Sequence, residues 1–181
     1  MSSSQTILLY VALSGHHFMR LRLLVFVILL ILGSVLGSFT AFQEAILGPL
    51  CTFQATASAW VMQVFGSSVV QTGNLLRDPD SQKAIAVLWA CSGADATFIL
   101  FAGIAIYPSC WRAKLKGVVG GFFAVQLMNI LRIISLYYLN AANEALFRFA
   151  HLYLWQGLLM LDVLVFMLLW LRWERSQCIS R

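Results

Sequence analysis

The sequence predicts an all-α membrane protein: a polytopic helical bundle of about four transmembrane helices, plus a segment on the outer face. Of its 181 residues, 61% are apolar and only 10% charged, whereas charged residues make up about a quarter of a soluble domain. Apolar stretches close to the roughly 20 residues that a bilayer-spanning helix needs recur along the chain. The basic residues gather at the ends of these stretches rather than in one patch. The net charge of +5 is therefore read as membrane topology, and the expected surface partner is the lipid bilayer, with no nucleic acid. A mean hydropathy of +0.85 excludes a disordered chain, which needs low hydrophobicity. Four cysteines with no Cys-x-x-Cys pair fit neither a disulfide scaffold nor a zinc site.

The elements follow in order within a single domain, 1–181. The first nineteen residues hold no positive charge and do not fit a cleavable signal peptide. Spans are expected over 23–42, 93–110, 117–139 and 152–171. The stretch 46–70 is apolar but dotted with Gln, Thr and Ser, and is read as a re-entrant or interfacial helix within an outer-face segment, 43–92. Lys and Arg set the direction. With four spans, Arg20, Arg22, Arg112, Lys114, Lys116, Arg172, Arg175 and Arg181 are cytoplasmic. Only Arg77, Lys83 and Arg148 are outside, so the split is eight to three. If 46–70 crossed, the Arg112-Lys114-Lys116 loop would face outward; both termini are therefore placed in the cytoplasm. Within the outer segment, an Asp-Pro-Asp turn signal between Val-, Ile- and Leu-rich stretches predicts a short hairpin.

Ionisable residues inside spans are functional suspects because hydrocarbon makes them costly; here they are Asp95, Arg132 and Asp162. Gln126, Asn129 and Arg132 recur every three residues and so share one helix face. Arg132 lies near enough to the outer end of its span to reach that interface. Cys91, followed by Ser92 and Gly93, sits where the outer segment turns into the second span. A helix N-terminus and a nearby guanidinium would both favour its thiolate. The plainer reading is a small buried hydrophobe. Asp95, one turn below Cys91, would oppose the thiolate unless it paired with Arg132. His151 opens the last span at the same boundary and can carry a proton near neutral pH. His16 and His17 lie on the cytoplasmic side, too far away to take part. Asp162 is expected to be a helix–helix partner, and Cys110 and Cys178 reduced cytoplasmic thiols. A thiol, a base and a fixed cation from three spans at one depth suit acyl transfer, with no metal or organic cofactor needed. A channel, carrier or assembly subunit with a buried Arg/Asp network remains the alternative. So does a thiol–disulfide enzyme pairing Cys51 with Cys91.

With Cys-Ser-Gly at 91–93, Asn-Ile-Leu-Arg-Ile at 129–133 and His151 opening the final span, residues 85–173 resemble the exosortase/archaeosortase family. Within it, the short single-domain exosortase H type is the nearest. The resemblance implies a membrane cysteine protease or transpeptidase of the bacterial inner membrane, with its site on the periplasmic face. Such enzymes act on exported proteins carrying a C-terminal sorting signal and transmembrane helix, and pass them to an acyl acceptor that the sequence does not name. Cys91 would be the nucleophile, Arg132 its charged partner and His151 the proton carrier, with Asn129, Asp95, Ser92 and Gly93 in support. Ser92 and Asp95 depart from the Cys-Asn-Gly and Glu pattern of that type, a difference that bears on subtype and substrate rather than on the chemistry.

Overall fold

The computed structural model describes residues 3–79 and 84–178, with side chains from 19 onward except at 141 and 176–178. The sidedness arguments that used Lys83 and Arg181, and the readings of the His16, His17 and Cys178 side chains, lie outside the described residues.

Among the described residues, seven α-helices form the body. The first, α1 (Ser3–Ser38), ends where Phe39 turns extended. A short α2 (Thr40–Phe42) passes through a π turn, Gln43–Leu47, into α3 (Gly48–Val64), which has a proline in its first turn. Proline suits that position because its missing N–H has no partner there anyway. Three short strands follow, β1 (Val70–Thr72), β2 (Leu75–Arg77) and β3 (Ala84–Ala86), paired antiparallel in the order β1-β2-β3. Gly73 supplies the positive φ, 62°, between the first two. The expected hairpin is the antiparallel β2–β3 pair, with Asp78-Pro79 following β2, and β1 extends it to a three-stranded meander. A 3-10 turn, Trp89–Cys91, leads to α4 (Ala94–Ile106), then α5 (Trp111–Ala142), α6 (Glu144–Phe149), a second π turn, Ala150–Leu154, and α7 (Trp155–Cys178).

Among the described residues, four helices are long and apolar enough to cross a membrane: Met19–Ser38, Thr40–Val64, Trp111–Asn140 and Glu144–Arg175. The long helix at 40–64 includes most of the stretch left open as re-entrant or interfacial. By contrast, α4 in the region 93–110 has 13 residues and a length of about 20 Å, against a hydrocarbon core of about 30 Å. The last helix begins before His151, at Glu144, because Asn143 caps α6: its side-chain oxygen accepts from the N–H groups of Ala145 (2.8 Å) and Leu146 (3.2 Å).

Packing distinguishes two ends of the bundle. At one, Lys114 Nζ donates to Ala105 O (2.6 Å), Trp170 Nε1 donates to Ala113 O (3.0 Å), and Lys116 lies 5.4 Å over the Trp173 ring. The loop between α4 and α5 and the basic end of α7 therefore lie together. At the other end are the close of α1, the start of α4 and the sheet. Gly33, Gly37 and Ser38 share a cavity with Leu47, Trp89 and Asp95. Further along α3, Ala55, Ala59 and Met62 are buried with Val69, Leu76, Val87, Ile133 and Tyr137. The later turns of α3 therefore pack at the sheet end of the bundle, while Gln54, nearer its start, reaches Gln126 of α5. Small residues allow the central helices to approach: a Cβ at Gly117 would overlap the Trp170 indole, and one at Gly121 would overlap Leu100 and crowd Phe166.

Candidate active site

The sheet end gathers the polar interior. Gln54, Ser58, Ser92 and Asn129 are fully buried, and Arg132 is 4% exposed. In so apolar a chain this concentration is unusual, because each such group must be satisfied or carry a cost.

Cys91 closes the 3-10 turn and is half-buried. Gly93 follows at φ 70°, a left-handed conformation that lets the chain reverse before α4 begins at Ala94. A Cβ there would also press to 3.3 Å from Val125 Cγ1. Ser92 reinforces the turn: its hydroxyl donates to Trp89 O (2.7 Å) and accepts from Ala94 N (3.3 Å). The turn sits on α5, where the predicted polar stripe is found. Asn129 Nδ2 donates to Cys91 O at 2.8 Å, and one turn further on Arg132 Nη2 lies 3.9 Å from Cys91 Sγ. From the far side, His151 Nε2 also lies 3.9 Å from Sγ. His151 is in the π turn, and its ring stacks on Phe147 at 5.7 Å and an interplanar angle of 4°. Thiol, imidazole and guanidinium, from three separate elements, thus meet around one sulfur.

The electrostatics differ from the thiolate expectation. Burial pushes the Cys91 thiol above its ordinary value, and the neighbouring Arg132 guanidinium only partly opposes this. A thiol shifted in this direction needs a base to become a nucleophile. His151 Nε2 is in position to be that base.

Of the expected supporting residues, Asn129, Ser92 and Gly93 lie at the Cys91 turn. Asp95 is not directed to Arg132: it is exposed and lines the cavity against the end of α1. Asp162 is half-buried in α7, and among the described residues its Oδ2 has no hydrogen-bond partner. Cys51, Cys91 and Cys110 are all outside disulfides. Sequence reading missed Gln54 and Phe147. Gln54 Nε2 donates to Ser92 O at 2.8 Å, from a stretch in which hydropathy alone gave no reason to single out one Gln. For Phe147 the only available signal was its spacing of four residues before His151.

A family model described as transmembrane exosortase matches residues 4–175, nearly the whole chain. The chain belongs to the transmembrane exosortase family. This membership makes it a membrane sorting enzyme and extends the relationship well beyond 85–173, into α1 and α3. No curated protein and no solved structure matches it. Within this exosortase, the matched segment includes every residue that surrounds the Cys91 sulfur.

Proposed function

We propose that the protein is a cysteine peptidase or transpeptidase that removes the C-terminal sorting signal of exported, membrane-anchored proteins through a thioacyl intermediate. The observation that carries this reading is the convergence of Arg132 Nη2 and His151 Nε2 on Cys91 Sγ, each at 3.9 Å.

The substrate is a protein with one C-terminal transmembrane helix, docked sideways against the bundle so that its scissile peptide bond lies beside the sulfur. His151 Nε2 takes the thiol proton as Sγ attacks the carbonyl carbon. The charge that develops on the carbonyl oxygen is held by the Arg132 guanidinium and by N–H groups at the start of α4. The tetrahedral intermediate collapses with cleavage of the C–N bond. The imidazolium gives its proton to the leaving amine, which departs on the sorting helix, and the exported portion is left as a thioester on Cys91. In the second half, His151 takes a proton from water or from another acceptor, which attacks the thioester. The C–S bond breaks and the proton returns to sulfur. His151 needs no carboxylate to orient it in this scheme, because Phe147 stacking fixes the ring plane.

Sidedness follows from charge. Arg112, Lys114, Lys116, Arg172 and Arg175 belong to the end opposite Cys91, so the positive-inside rule puts the site on the outer, periplasmic face of a bacterial inner membrane. On this reading α3, although long enough to cross, stays on the outer side, and the chain crosses at α1, α5 and α7 and, through the 13-residue α4 with its flanking loops, between them.

The test co-expresses the protein with an exported reporter fused to a single C-terminal apolar helix and basic tail taken from the same genome. Processing is followed by mass and by immunoblot. Wild type releases the reporter, whereas Cys91→Ala, Arg132→Ala and His151→Ala leave it unprocessed. Full processing by Cys91→Ala would refute the reading.

A further inference from the structure

Three consecutive backbone carbonyls of the Cys91 turn are each held by a side chain from a different helix. Asn129 of α5 donates to Cys91 O (2.8 Å), Gln54 of α3 to Ser92 O (2.8 Å), and Thr97 of α4 to Gly93 O (2.9 Å). Gln54 also ties the arrangement together. The second hydrogen of its amide goes to Gln126 Oε1, and Gln126 Nε2 reaches Thr97 Oγ1 at 3.4 Å. Gln54 is wholly buried, and so are Ser92 and Asn129.

We propose that Gln54 is a positioning residue for the nucleophile. Resting on the reading of Cys91 as that nucleophile, this gives α3 a part in catalysis. The peptide unit between Ser92 and Gly93 is planar, so fixing its carbonyl toward α3 turns its N–H to the opposite side. That N–H is one of the donors at the start of α4 assigned to the oxyanion. The same contact holds the backbone immediately after Cys91, and with it the direction of Sγ toward His151 and Arg132. A hydrophobic side chain of similar size in place of Gln54 would fill the space but leave Ser92 O and Gln126 Oε1 without a donor. The turn would then be free to shift by a fraction of an ångström while the bundle stays packed. Displacements of about 1 Å at a reacting group cost on the order of a hundredfold in rate.

The experiment compares wild type, Gln54→Leu and Gln54→Glu, with Cys91→Ala as the blank. It uses the reporter described above, in purified detergent-solubilised protein, and the rate of Cys91 alkylation by iodoacetamide read by peptide mass spectrometry. Gln54→Leu is expected to lower kcat about 10- to 100-fold, with KM within twofold and a thermal midpoint close to that of wild type. Gln54→Glu supplies a sharper readout. As a carboxylate it has no donor for Ser92 O, but as a carboxylic acid it recovers one. Its rate relative to wild type should therefore rise as pH falls, while the ratio for Gln54→Leu stays flat. A Gln54→Leu kcat within twofold of wild type would overturn the proposal. So would a flat Gln54→Glu ratio. If Gln54→Leu does not fold, the pH dependence of Gln54→Glu decides alone. If Cys91→Ala processes the reporter as wild type does, the assignment of the nucleophile fails and Gln54 has no nucleophile to position.

Discussion

Burial and the guanidinium act on the Cys91 thiol in opposite directions, and burial has the larger effect. Because the thiolate is the reactive form, alkylation of Cys91 by iodoacetamide should rise with pH through a midpoint above that of an ordinary thiol. Arg132→Gln removes the one lowering influence and should move that midpoint higher still. A midpoint that stays put or falls in the variant would show that Arg132 does not act on the sulfur. Rates of the modified Cys91 peptide between pH 6 and 11 measure both. His151 depends on a neighbour of another kind. Aromatic pairing is worth about 0.5–1.5 kcal/mol, so Phe147→Ala should slow reporter processing about threefold to tenfold by releasing the imidazole ring from its plane. Phe147→Tyr, which keeps the stacked face, should retain most of the rate.

Glycine decides how closely the elements approach one another, and its role differs by position. At Gly121 a side chain would drive into Leu100 and Phe166, where α4, α5 and α7 meet, whereas at Gly37 nothing lies within 4 Å. Gly121→Leu should therefore cost about 1–3 kcal/mol by overpacking, and Gly37→Ala less than about 0.5 kcal/mol. Thermal unfolding of the two variants in detergent distinguishes them. At Gly93 both objections apply, a positive φ and contact with Val125, and alanine should cost about 1–2 kcal/mol in backbone strain alone. These contrasts also explain what was legible in the sequence. The three-residue recurrence of Gln126, Asn129 and Arg132 placed a polar face on α5, and the structure turns that face toward Cys91. The order Cys91, Arg132, His151 with spans between them was legible for the same reason: helix periodicity and hydropathy are local signals. Whether 46–70 spans was not legible, because its length and apolarity fit either course. Its path is set by contacts of Gln54 with Ser92 and of Met62 with the sheet cluster, which are far apart in sequence. Whether Asp95 pairs with Arg132, left conditional by the sequence, is decided at the same level, since Asp95 sits on the α4 face that meets the end of α1.

At the scale of the whole molecule, the two ends differ in what they offer to water and lipid. One end holds the sheet, the Cys91 turn and the later turns of α3. The other holds the loop before α5, with Cys110 exposed and Lys114 bound to the last turn of α4. If the positive-inside rule governs this bundle, a thiol added at the sheet end must face the periplasm while Cys110 faces the cytoplasm. Ser68 is exposed, just before β1, and Ser68→Cys introduces that thiol without disturbing a buried contact. In intact cells, once the outer membrane is made permeable, a membrane-impermeant maleimide should label Ser68→Cys and spare Cys110. Inverted inner-membrane vesicles should show the reverse pattern. Cys51 is buried among α3 and sheet residues and should resist labelling in both preparations, which serves as an internal check that the bundle is intact. Labelling of Cys110 from outside, with Ser68→Cys protected, would invert the whole assembly. The thiol site would then face the cytoplasm, where no exported substrate could present its sorting signal.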